Sequence, residues 1–210
     1  PVETAAAAPK HRSNGIGMSA EVGALDPDQT QKAFLGAKTQ MDDCWKAATS
    51  HLSFVAGKVS IHVRVDHQGH PKTVHLKEST LGDDEMEKCI VHTIEGVQFP
   101  APEGGEDGIA DYDGLEFPAN EDVRQPVDWS ESDMGKTVKD AKAALDACKA
   151  QGGGGTLAIT MYVGVDGHVK SAGVAGDASA KAGDCVVERV KKLRFNSPGS
   201  GAAKASLAAD

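Results

Sequence analysis

Apolar positions along this chain follow two rhythms, and each rhythm occurs twice. Phe34, Ala37, Met41, Cys44 and Ala48 recur at three- and four-residue spacing, and Val138, Ala141, Leu145 and Cys148 repeat the stripe 104 positions later. That period predicts an amphipathic helix in each place. Met86, Ile90, Ile94 and Val97 predict a further helix, weakened at Gly96 just before Phe99 and Pro100. Its echo is Val186, Val190 and Leu193, 96 positions after Ile90, Ile94 and Val97. The segments "CIVHTIEGVQFPAP" at 89–102 and "CVVERVKKLRFNSP" at 185–198 each place a phenylalanine ten residues after a cysteine and a proline three residues after that.

Between the helices the period drops to two. Val59, Ile61, Val63 and Val65 alternate with Ser60, His62 and Arg64, turn through Asp66 to His70, and return with Val74 and Leu76. Leu157, Ile159, Met161, Val163 and Val165 run to Asp166-Gly167 and return through Ala172 and Val174. An Asp-Gly pair between alternating runs is a strong hairpin signal, because both residues tolerate positive φ. The pattern predicts an α+β fold of two tandem units, each a small antiparallel sheet covered by two helices. Each sheet is a hairpin plus a final short strand, opened by Phe99 or Phe195.

Composition sharpens this picture. The chain has 210 residues, 4% of them aromatic, so each unit has a modest core of a kind that often needs a staple. Each unit carries two cysteines, one on the stripe of its first helix and one opening its second. Four cysteines allow three connectivities, and sequence alone does not choose; the repeat favours Cys44–Cys89 and Cys148–Cys185, against the alternative of four reduced core thiols. Paired cysteines point to a protein outside the cytoplasm.

The boundaries expected are a flexible tether over 1–24, a first domain over 25–118, an acidic linker over 119–131, a second, shorter domain over 132–199 and a flexible tail over 200–210. The Ala- and Pro-rich lead from Pro1 suits the stretch after a removed signal peptide or a lipid-anchored cysteine. No stretch is apolar enough for a transmembrane segment.

Charge is concentrated. Residues 103–133 hold eleven acids and one base, Arg124, while the whole chain nets −9, leaving the remainder near neutrality. That excludes the basic stripe of a nucleic-acid binder. Within the acidic run, Asp111, Asp113 and Glu116 have calcium-ligand character but lack the remaining positions of an EF-hand loop. The first hairpin, paired with Ile61 facing Leu76 and Val63 facing Val74, sets His62 opposite His75 on the solvent side, two ligands where zinc takes three or four. Metal or small-ligand binding at the histidines or the 107–116 segment is therefore the secondary reading, and no cofactor is expected. Catalytic signatures are missing: there is no G-x-S-x-G, P-loop, H-E-x-x-H or C-x-x-C.

The run from about 27 to 117 carries the helix ending at Cys44, the V-x-V-x-V-D hairpin, "ESTLGDDEMEKC" and "FPAPEGG". In these elements it resembles the AgmX/PglI C-terminal domain family, itself similar to TonB and TolA C-terminal domains. The second run keeps Cys148, Asp166-Gly167, Cys185 and Phe195 but reads "FNSP" for "FPAP" and lacks "STLGD", so it looks like a degenerate copy. The resemblance implies a non-enzymatic envelope module, a scaffold, adaptor or assembly subunit, that accepts a partner's extended segment on a sheet edge. On that footing the expected edge strands are those of Ile109, Tyr112, Leu115 and Phe117 and of Phe195. The expected partners are envelope or outer-membrane-associated proteins, with self-association a further option.

Overall fold

The computed structural model describes residues 22–151 and 155–209. It is an α+β fold with two small sheets, each packed against helices.

The first unit begins with α1 (Pro27–Gly36) and α2 (Lys38–His51), which share the predicted stripe but break at Ala37. Asp26 caps α1, its side chain accepting the Gln29 N–H. Strands β1 (Gly57–Val65) and β2 (Pro71–Ser79) form the hairpin in the predicted register, Ile61 opposite Leu76, His62 opposite His75 and Val63 opposite Val74. Helix α3 (Asp84–Glu95) buries Met86, Ile90 and Ile94. Strand β3 (Gly108–Phe117) then pairs antiparallel with β1, giving the order β2-β1-β3. The second unit repeats this with α4 (Thr137–Gln151), β5 (Leu157–Val163), β6 (Val169–Ala175), α5 (Ala180–Val190) and β7 (Ala203–Ala209). Its sheet runs β6-β5-β7 in the same spatial order, extended by the three-residue β4 (Val127–Trp129), parallel to β7.

Cys44 is bonded to Cys89 and Cys148 to Cys185, joining α2 to α3 and α4 to α5. Closing loops of 45 and 37 residues in the unfolded chain contributes about 4 kcal/mol each in the chain-entropy account.

The repeated phenylalanine serves a specific contact. The Phe99 N–H donates to the Gly69 carbonyl at 3.0 Å, and the Phe195 N–H donates to the Gly167 carbonyl at 2.9 Å. Each thus ties the end of its helix to the hairpin turn. Both glycines have positive φ, and a Cβ on either would run into the phenylalanine carbonyl.

Four expectations are corrected. Neither Phe99 nor Phe195 opens a strand: both rings are buried, Phe99 edge-on to Phe34 at 5.1 Å and Phe195 beside Trp129. Phe195 therefore lies on no sheet edge. The supposed tail contains β7, which sits inside the sheet between β4 and β5 and buries Ala203, Ala205 and Leu207. The acidic linker contains β4. Of the tether, residues 1–21 fall outside the described residues, whereas Gly23 and Ala24 are held by bridges to Gly108 and Glu103.

Candidate functional site

Two surfaces stand out: the outer edge of β3 and the seam between the units.

In β3, Tyr112, Leu115 and Phe117 turn toward the core, with Tyr112 stacked on Phe34 at 4.9 Å and the other two buried. Ile109 faces out at 44% exposure. At the start of this edge the Gly23 N–H donates to the Asp107 carbonyl at 2.9 Å and bridges Gly108. The Leu76 carbonyl is taken by Gly176, so its partner Ile61 turns its own N–H and C=O to Tyr112 of β3, and the alternation directs the Asp111 N–H and C=O away from β1. Beside this edge lies a groove of about 370 Å³ walled by Leu25, Phe34, Ile109 and Tyr112 and rimmed by Asp111 and Asp113.

The acids of this region are largely answered across the sheet. Asp111 bonds His62 Nδ1 at 2.7 Å and lies 3.6 Å from Lys77. Glu116 lies 3.6 Å from Lys58. Asp107 accepts from both Lys72 and Arg64, and the Lys72 hydrogen bond foremost holds its carboxyl below the usual range. His62 and His75 lie ring to ring with centroids 4.8 Å apart, and burial, followed by the charge of His62, pushes the His75 pKa down. Among the described residues no group of three His, Cys, Asp or Glu side chains is arranged to hold a metal ion, so His62, His75, Asp111, Asp113 and Glu116 do not converge on a shared centre. No helix among them is long and apolar enough to cross a membrane.

The seam was not foreseen from the sequence. Asp83 caps α3 by accepting the Met86 N–H, and its other oxygen accepts from Ser171 of β6 at 2.7 Å and contacts His51 at 3.1 Å. One turn on, Glu87 is fully enclosed. Its Oε1 accepts from the Ser79 hydroxyl and its Oε2 from the Val174 N–H, each at 2.6 Å. Burial outweighs both donors and pushes the carboxyl from 4.5 up to about 8. Gly173 makes the approach feasible, since a Cβ there would fall within the Glu87 carboxylate. Thr160 donates to the Ser79 carbonyl at 3.2 Å, and Lys204 donates to the Ala56 carbonyl at 2.7 Å. The buried Tyr162 joins the first unit's core against Phe54, with rings 5.2 Å apart. The Gly176 N–H, just past β6, donates to the Leu76 carbonyl at 2.7 Å, so the end of β6 meets the edge of β2 at Leu76.

One signal for this seam was present in the sequence. Glu87 falls on the same helical face as Met86, Ile90 and Ile94, a charged residue on an apolar stripe. Gly173 and Tyr162 carried none.

Comparison with family models, with curated proteins and with solved structures finds no match to this chain.

Proposed function

We propose that this chain is a non-catalytic protein-interaction module of the cell envelope, serving as a scaffold, adaptor or assembly subunit related to the AgmX/PglI and TonB/TolA C-terminal domains. Its primary docking surface is the outer edge of β3. The observation that carries the reading is the direction of the backbone at Asp111, whose N–H and C=O turn outward from β3 beside a groove. An extended partner segment adding to that edge gains main-chain hydrogen bonds there, with Ile109 and Tyr112 beside it. The two disulfides support an exported setting, periplasmic or outer-membrane-associated.

A photo-crosslinking amino acid at Asp113 tests this in cells, with the same group at Val165, an exposed apolar position on the second hairpin, as control. A discrete adduct specific to position 113, recovered from the envelope fraction and lost when Asp111→Pro removes the outward N–H, is expected. Equal adducts from both positions, or a cytosolic adduct, would overturn the reading.

A further inference from the structure

A second concavity, of about 380 Å³, opens where β2, α3, β6 and α5 meet. Its apolar walls come from both units: Val74 and Val91 on one side, Leu157, Val174 and Ala178 on the other. Four carboxylates line it, those of Asp84, Glu95, Asp177 and Asp184. Lys88 spans two of them, 2.8 Å from Asp84 and 2.7 Å from Asp184, and stitches α3 to α5. One ammonium against four carboxylates leaves the cleft with excess negative charge. Of its two histidines, His75 has its pKa pushed down by burial first and then by His62, and His92 Nδ1 lies 3.3 Å from Glu95 Oε2. The Glu87 carboxyl at its base has both oxygens engaged.

The backbone adds direction. The Leu76 carbonyl points away from β1, because Gly176 reaches it from the other unit. Ile61 and Val63 pair with Leu76 and Val74 without an intervening bulge. The Val74 N–H and C=O therefore also point away from β1, at the cleft wall.

We propose that this cleft binds a short, extended peptide segment bearing basic residues between apolar ones. The basic side chains answer the acidic rim, the apolar ones fill the walls, and the segment's main chain meets Val74. The volume sits at the small end of ligand sites, about 300–1,000 Å³, and suits a few residues of a tail or loop. The site is made jointly by the two units, and it is separate from the β3 edge.

Gly183 supplies the deciding variant. It lies in α5 at the cleft wall, and a Cβ there would meet only Val174, at 3.9 Å. Leucine at this position fills the cleft while improving helix propensity by about 1 kcal/mol. Calorimetric titration of the disulfide-intact full chain with acetyl-Ala-Val-Lys-Val-Arg-Ala-amide is expected to saturate at one to one. The counterpart peptide with glutamates for Lys and Arg should bind at least about tenfold more weakly. Gly183→Leu should lose about tenfold or more with an unchanged or higher melting temperature, and Glu95→Lys about threefold to tenfold. Ile109→Lys, on β3, should leave the titration unchanged, so this site and the β3 reading fail independently. No saturable binding up to about 1 mM, equal binding of the acidic peptide, or full binding by Gly183→Leu would each overturn the proposal. Should Gly183→Leu lower the melting temperature, full binding by Glu95→Lys would overturn it instead.

Discussion

Glu87 has the largest single effect at the residue scale. It is packed by Ser79 from β2, by the Val174 amide from β6 and by Asp83 and Asp84 on its own helix, and its burial favours the neutral acid. The folded carboxyl keeps its proton to about pH 8, while the unfolded chain releases it near 4.5. Its contribution is therefore fully present below pH 4.5 and is lost as pH rises through 8. Urea denaturation from pH 5 to 9 should give a stability that falls by a few kcal/mol in the natural chain. The slope should be markedly flatter in Glu87→Gln. Equal slopes would mean that the carboxyl is ionised in the folded protein. The residue was visible in the sequence as a charge on an apolar stripe. Its partner was not, because Gly173 reads as one more small residue in a strand until the opposing helix is in place.

At the scale of elements, legibility tracked amphipathicity. Helices α3 and α5 and both hairpins announce themselves through apolar periods, and the cysteine positions follow from those helices. β7 does not: "AKASLAA" lacks the β-branched and aromatic residues that mark strands, and its alanines favour helix in isolation. Its place between two strands overrides that preference, since small residues let β7 lie flat beneath α4 with Ala203, Ala205 and Leu207 buried. β4 was hidden for another reason, being three residues inside an acidic run. The equivalence of β7 with β3 completes the duplication, so the repeat is longer than its matching letters. Truncation after Gly201 should accordingly unfold the second unit, exposing Ile159 and Leu145, while the β1–β3 sheet persists. Amide dispersion in NMR spectra would collapse for residues 132–199 and survive for much of 25–118. Retention of both sets would show β7 to be dispensable.

As a whole molecule, the chain behaves as two copies welded along one line. Tyr162 lies in the first unit's core although it belongs to the second, and its hydroxyl is bonded to Ala56 at 3.4 Å. Burial pushes its pKa up to about 12, so it remains a donor throughout the ordinary range. Tyr162→Ala removes a large buried side chain, a loss of about 3–5 kcal/mol for an aromatic in a core. It should turn a single cooperative melting transition into two, read by differential scanning calorimetry. One undivided transition in that variant would place the coupling elsewhere on the seam. The paired cystines bear on a different property, the reach of the chain under mechanical load. Each closes a loop that tension cannot open, of 45 and 37 residues. At about 3.4 Å per extended residue, reduction would release roughly 280 Å of hidden length. An oxidised molecule stretched between two anchors is thus a short, stiff-limited cord, and a reduced one a far longer leash.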